Sequence, residues 1–450
     1  MKTQSNKIGQ PLILMSYAIV LLLIISLFKL PVGMFNGHPK IDILVDIRKD
    51  TQLKLAISTI IKEDTVSFSK NIHPPKDFTL IADYGFDYAN SLKGFYQKLD
   101  GIKKTHSKVR IAYFGDSYIE GDHVTSQIRQ QMQKMFGGSG IGFMPMASAV
   151  AGLYKQISLS GAGWLDYNFK NNPNGGILGL SGHVFYPYGN AAAIFSARTS
   201  EPLNVVKLYT GQTAVNAKVE VAKDGKSRDI LINGSKTINE TVLNSGSPIK
   251  TIKISSTDEN LPVYGVSIED KEGVYLDNYS FRGNSGAWNL QINKETMSQL
   301  NSYLHYDLIV MQYGINAVEH DKQKSPWFEN SMNVFIKTMK KAFPNVPILL
   351  VSTSDMGHKY EGKYLTEKAV PYMVATQRQI ARNNKIAFWN LFEAMGGDNT
   401  MVNWVEGDTV LAAKDYIHLN DKGAVKVGDL FFNKLMESKN YYQQHTLTKK

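Results

Sequence analysis

A chain of 450 residues with 43% hydrophobic and 20% charged residues has the composition of a globular protein, long enough for two or three cores. Its 50 Lys and Arg exceed its 40 Asp and Glu, and the formal charge of +10 favours anionic surroundings such as a wall polymer, a lipid surface or nucleic acid. The absence of cysteine excludes disulfides, thiolate metal sites and a cysteine nucleophile.

Lys2 and Lys7 precede an almost wholly apolar stretch from Pro11 to Phe28. With Lys29-Leu30-Pro31-Val32 it is just long enough to cross a ~30 Å hydrocarbon layer as a helix. No small-x-small cleavage site follows in Leu30 to Phe35, so residues 1–35 are expected to form an uncleaved signal anchor, a single transmembrane helix. The lysines before it place the N-terminus in the cytoplasm and everything after it outside. This predicts a single-pass inner-membrane protein whose bulk is periplasmic or extracytoplasmic, a placement that with the lack of any nucleic-acid motif argues against a nucleic-acid partner. Residues 36–88 are polar and weakly patterned and are expected to act as a tether.

Regular patterning starts near Asn90. Leu92, Phe95, Tyr96 and Leu99 fall at helical spacing, and Val109 to Phe114 reads as a short buried strand running into Gly115-Asp116-Ser117. Val124, Ile128, Met132 and Met135 then predict a helix stopped by Gly137-Gly138. Strand, tight loop and helix open an α/β fold. From about Ala149 to Val266 helical periodicity gives way to short β-type runs such as Val205 to Tyr209, Ala217 to Val221 and Ile249 to Ile254. Asp224-Gly225, Asn233-Gly234 and Ser245-Gly246 separate such runs, and Asn-Gly favours a two-residue hairpin. The region 149–266 is therefore expected to be a β-sandwich, inserted rather than appended because α/β patterning resumes after it. Leu308 to Gln312 and Pro347 to Val351 read as buried strands, Trp327 to Phe343 and Pro371 to Asn383 as helices, and Ile386 to Trp389 as a last strand.

Four segments carry chemistry. Gly115-Asp116-Ser117 ends the first strand, where open α/β sheets place their ligand crevice; a hydroxyl there is exposed to substrate and its amide can face a developing oxyanion. Asp415-Tyr416-Ile417-His418 puts an acid three residues before a histidine, the orienter and base that a serine nucleophile needs. Gly314-Ile315-Asn316 follows the strand Leu308 to Gln312 and brings a side-chain amide donor to the same sheet edge. Arg282-Gly283-Asn284-Ser285-Gly286 is a loop whose glycines allow close backbone approach. Each segment alone is also ordinary turn or cap chemistry.

The four in this chain order resemble the SGNH (GDSL-like) hydrolase superfamily. The resemblance implies a flavodoxin-like three-layer α/β fold with a parallel sheet, with an all-β sandwich inserted between a first part, 89–148, and a second part, 267–440. It implies that Ser117 is the nucleophile, His418 the base and Asp415 its orienter. The oxyanion hole would be the Ser117 N–H, the Gly286 N–H and the Asn316 side chain, with Gly283 competing for the glycine's place. Gly115-Asp116-Ser117-Tyr118-Ile119-Glu120-Gly121-Asp122, the helix after it, and Phe136-Gly137-Gly138-Ser139-Gly140-Ile141-Gly142-Phe143 are similar to bacterial peptidoglycan O-acetylesterases, which carry a carbohydrate-module-like insertion at the same place. Tyr118 departs from them, standing where that subfamily tends to have histidine. The implied activity is removal of O-acetyl groups from an envelope glycan through an acyl-enzyme, with no metal or organic cofactor. Two rival expectations are an O-acetyltransferase with the same triad, whose partner would be an acyl-exporting membrane protein, and a catalytically silent glycan-binding protein.

Overall fold

A computed structural model describes residues 81–85, 91–173, 175–213 and 217–447, all within one compact unit, Val66–Lys450. The signal anchor and the tether up to residue 80 lie outside the described residues. Among the described residues, no helix is long and apolar enough to cross a membrane.

The first elements are strand β1 (Ala82–Asp83), helix α1 (Lys93–Thr105), strand β2 (Lys108–Gly115) and helix α2 (Thr125–Phe136). Helix α2 stops at the expected glycine, Gly137, whose φ of 88° is in the left-handed half of the map. Nine strands then follow: β3 (Gly142–Met144), β4 (Ile157–Asn168), β5 (His183–Ala197), β6 (Leu203–Gly211), β7 (Lys218–Lys223), β8 (Lys226–Leu231), β9 (Ile238–Ile249), β10 (Thr251–Ser256) and β11 (Val263–Glu269). The α/β pattern resumes with β12 (Gly273–Ser280), α3 (Lys294–Leu304), β13 (Leu308–Gln312), α4 (Pro326–Ala342) and β14 (Ile348–Val351). The chain closes through the hairpin β15 (Gly357–Tyr360) and β16 (Lys363–Thr366), α5 (Val370–Asn383), β17 (Ala387–Trp389), α6 (Leu391–Met395), α7 (Thr400–Glu406) and α8 (Asp421–Leu447).

The main sheet has the order β1-β17-β14-β13-β2-β12, and all its strands but β1 are parallel. Numbered along the chain, the parallel strands run 2-1-3-4-5, the flavodoxin-like winding, with its switch point between β2 and β13. Side chains alternate between two cores, as the pleat requires. Val109, Ile111, Tyr113, Leu308, Val310, Leu349 and Val351 join the core capped by α1, α2 and α8. Phe114, Ile309, Met311, Ile348, Leu350 and Phe388 join the opposite core under α3, α4 and α5. Three layers, α/β/α, follow from that division. The residues 36–88 expected as tether end in structure, because Ala82–Asp83 pairs antiparallel with β17 and extends the sheet.

The antiparallel region is one hydrogen-bonded network. Along one edge β5 pairs with β4; along the other it meets β10 at Ala191–Ser196 and β11 at Phe185. The halves β8-β7-β10 and β11-β6-β9 thus diverge from a common strand, and Val219, Val221, Ile252 and Ile254 of one share a core with Val206, Leu208, Val266 and Ile268 of the other. The network begins before the expected boundary at 149, since Gly142–Met144 already pairs with β11. Glycines at its start serve close approach: a Cβ on Gly140 would stand 2.5 Å from the Ile268 carbonyl oxygen, and one on Gly142 2.2 Å from Asp277 Oδ1. Asp224-Gly225 forms the two-residue β7–β8 turn, with φ of 44° and 87°. Asn233-Gly234, expected as another hairpin turn, instead joins β8 to β9, which do not pair; its Gly234 carbonyl accepts the Thr213 N–H at 3.1 Å.

A buried ion cluster welds this region to the main sheet. The Arg110 guanidinium on β2 donates to Asp277 Oδ2 (2.8 Å) and Oδ1 (3.0 Å) on β12 and to Glu269 Oε2 (2.6 Å) and Ser267 Oγ (2.7 Å) on β11. Burial raises the Glu269 carboxyl, but Arg110 and Lys108 outweigh it and bring it down to about 2.

Candidate functional site

The switch point between β2 and β13 gathers all four expected segments. Gly115 ends β2 against β13: a Cβ there would stand 2.8 Å from Ile119 and 3.2 Å from the Gln312 carbonyl, so a larger residue would push the turn off the sheet. The turn leads into α2, which Asp122 and Arg129 anchor from below. Arg129 grips Asp122 with two bonds of 2.6 and 2.7 Å and donates to the Leu276 carbonyl of β12.

At the end of that turn Ser117 Oγ lies 2.9 Å from His418 Nε2, and His418 Nδ1 lies 2.7 Å from Asp415 Oδ2. Asp415 Oδ1 also accepts the N–H groups of Ile417 and His418, both at 3.0 Å. Burial raises the Asp415 carboxyl, but these bonds and the facing imidazole hold it below the ordinary carboxylate range. A carboxylate at Nδ1 selects the tautomer with its proton there, which leaves Nε2 to accept the serine proton. The His418 and Asp415 side chains are 43% and 46% exposed, so the row opens to solvent and admits a bulky acyl donor.

The loop carrying this pair rests on the β15–β16 hairpin. The Tyr416 carbonyl accepts the Gly357 N–H at 2.8 Å, and the Tyr416 ring stacks on Tyr364 with centroids 3.6 Å apart. Tyr416 itself has φ of 58°, a conformation uncommon for a non-glycine residue, and the Glu406 carboxylate accepts its hydroxyl at 2.7 Å.

The Asn316 amide nitrogen donates to Asp116 Oδ2 (3.1 Å) and to the Asn284 carbonyl (3.2 Å), which fixes its donor face between the Ser117 turn and the glycine loop. Asp116 is buried, accepts the Tyr118 N–H at 2.9 Å through Oδ1, and is pushed up to about 7 by that burial. The Gly286 N–H donates to Asn284 Oδ1 at 2.8 Å. Gly286 has φ of 96°, and a Cβ on it would stand 2.6 Å from Met332 Sδ, whereas one on Gly283 would make only ordinary contacts, 3.7 Å from the Trp288 ring and 3.8 Å from Lys170 Nζ. Of the three expected oxyanion donors, Ser117 N–H is the one with no protein acceptor among the described residues. Asn316 can release its long bond to Asn284, while Gly286 must be released by the Asn284 side chain.

Tyr118 is buried in the core beside α8, with its hydroxyl 3.6 Å from Met395 Sδ. The residue that departs from the resembled subfamily thus fills core rather than lining the open row. Sequence reasoning missed Asp116 as the holder of Asn316, although it stands inside the Gly-Asp-Ser motif. It also missed the Tyr364 shelf, for which Glu361-Gly362 between two β-prone runs is the available signal; both residues have positive φ at the hairpin turn. The Glu120–Arg282 ion pair, which ties the serine turn to the glycine loop, left no signal.

The parallel 2-1-3-4-5 winding is the flavodoxin-like fold expected from the sequence, and the Ser117–His418–Asp415 row sits at its switch point. The chain is similar to a solved structure of a peptidoglycan O-acetylesterase, at 20% identity and a TM-score of 0.67 over 80% of this chain and 99% of the other. An acetyl xylan esterase aligns at 19% identity over 36% of this chain and 80% of its own, and a family two carbohydrate esterase from Cellvibrio japonicus at 10% over 63% and 98%. Their TM-scores of 0.28 and 0.25 add nothing to the fold assignment. No family model and no curated protein matches the chain.

Proposed function

We propose that this chain is a serine esterase that removes O-acetyl groups from an envelope glycan, most specifically peptidoglycan. The carrying observation is the row Ser117 Oγ, His418 Nε2, His418 Nδ1, Asp415 Oδ2, with its 2.9 and 2.7 Å links. In this reading Ser117 Oγ attacks the acetyl carbonyl while His418 Nε2 takes its proton, and Asp415 stabilises the imidazolium. The oxyanion forms against Ser117 N–H and Asn316 Nδ2. Collapse breaks the ester C–O bond, His418 protonates the departing sugar oxygen, and water activated by the same nitrogen hydrolyses the acetyl-serine. The substrate class is supported by the structural likeness to a peptidoglycan O-acetylesterase and by the exposure of the row, which suits a polymer. The signal-anchor pattern of residues 11–30 and the +10 charge support a membrane-tethered, extracytoplasmic enzyme near anionic wall polymer.

The test is mass spectrometry of muropeptides before and after treatment with the full-length protein. Loss of acetyl mass without backbone cleavage is expected for wild type and not for Ser117→Ala. Unchanged acetylation with the wild type, alongside turnover of a small aryl acetate, would reject the substrate and keep the chemistry.

A further inference from the structure

We propose that His320, His358 and Glu367 form a binding site for a divalent transition metal of the zinc class, which clamps the Asn316-bearing segment to the β15–β16 hairpin. The Glu367 side chain is only 1% exposed, and its Oε1 is fixed by the N–H groups of Asp321 (3.2 Å) and Ala369 (3.1 Å). Its Oε2 faces two imidazoles, His320 Nδ1 at 2.7 Å and His358 Nδ1 at 3.6 Å. The rings stack with centroids 4.0 Å apart, and one donor atom from each of the three residues lies within 4.8 Å of the others.

Two imidazoles and one carboxylate are a zinc donor set. Metal bonds of roughly 2.0–2.2 Å separate neighbouring tetrahedral donors by about 3.3–3.5 Å, so the observed 2.7 and 3.6 Å spacings need only small adjustments to enclose an ion. The second nitrogen of His320 supplies an independent mark. Its Nε2 lies 3.1 Å from Asp321 Oδ2, the outer carboxylate that orients a metal-bound imidazole by accepting its remaining N–H. With His320 neutral and Nδ1 carrying the proton, Nε2 would present a lone pair to that carboxylate; a metal on Nδ1, or a second ring proton in the metal-free protein, makes both contacts favourable. The imidazoles are 49% and 40% exposed, so an ion can reach them.

The placement gives the site a role. His320 follows Asn316 by four residues, and His358 belongs to the hairpin that shelves the Asp415–His418 loop. One ion would join the supports of the two loops flanking Ser117 without touching the reacting atoms, and its binding does not depend on the esterase reading.

The experiment uses untagged full-length protein stripped with EDTA and titrated with ZnCl2, with bound metal measured by elemental mass spectrometry. One zinc per chain is expected, with thermal unfolding raised by roughly 3 °C at a hundredfold excess over Kd. His320→Ala and His358→Ala remove half-exposed rings and should keep the fold by circular dichroism while weakening zinc at least tenfold. Both should also lose the visible absorption of bound Co2+. Zinc should slow hydrogen exchange across 357–366 in wild type and not in His358→Ala. Absence of binding by wild type, leaving only a histidine–glutamate pairing, would overturn the site, as would equal binding by the two variants. Unchanged exchange in zinc-loaded wild type would overturn the clamp.

Discussion

Arg110→Met tests how the antiparallel region is fastened to the parallel sheet. The substitution keeps length and volume but removes four hydrogen bonds and leaves the Asp277 and Glu269 side chains, 0% and 1% exposed, without their shared guanidinium. Removing one partner of a buried ion cluster costs about 3–5 kcal/mol, because the remaining charges keep their desolvation penalty. The pH dependence carries a second signature. Glu269 is depressed from 4.5 to about 2 in the folded protein, so its contribution is fully present above pH 4.5 and is lost as pH falls toward 2. That depression corresponds to roughly 3 kcal/mol. Guanidinium unfolding of wild type and variant, followed by tryptophan fluorescence from pH 7 down to pH 3, should show the full deficit at pH 7 and a narrowing gap on acidification. Adding Glu269→Gln to Arg110→Met should recover part of the loss. A deficit below about 1 kcal/mol at pH 7, or one constant across the range, would refute the assignment of Arg110 as the joint.

Asp116→Asn should separate stability from turnover. Burial raises the Asp116 carboxyl from 3.8 to about 7, so the folded state loses stability as pH rises through that window, by an order of a few kcal/mol. The amide should therefore be more stable than wild type at pH 8. It would also face Asn316 Nδ2 with a donor and turn that amide over, lowering kcat for an aryl acetate about 10²–10³-fold. Lower stability at pH 8 together with unchanged kcat would contradict both halves. Cell fractionation checks the anchor: full-length protein should pellet with membranes, resist high salt and be released by detergent, and a shortened soluble form would mean that the segment is cleaved.

The parts legible in the sequence were those whose signal is local. Leu308 to Gln312 and Ile348 to Val351 are buried on both faces and read as unbroken apolar runs; Ser117, Asn316, Asp415 and His418 sit in short motifs at strand or helix ends. What could not be read depends on pairing between distant segments. Asn233-Gly234 has hairpin chemistry, yet β8 pairs with β7 and β9 with β6, so the dipeptide became a crossing. Ser245-Gly246 reads as a separator but falls inside β9, where the ladder with β6 shifts register. The Asn284 side chain that takes the Gly286 N–H, the Tyr364–Tyr416 stack and the His320–Glu367 contact all join residues whose partners no local pattern announces.

The central claim, that Ser117 carries the acyl group, is tested most directly by rapid acid quench of the full-length protein during turnover of an aryl acetate, followed by peptide mass mapping. The account predicts an acetyl group on the peptide containing Ser117, at Ser117 itself, building up before steady state and absent in Ser117→Ala. Acetyl found on another residue, or turnover with no acetyl-serine and undiminished activity in Ser117→Ala, would contradict it.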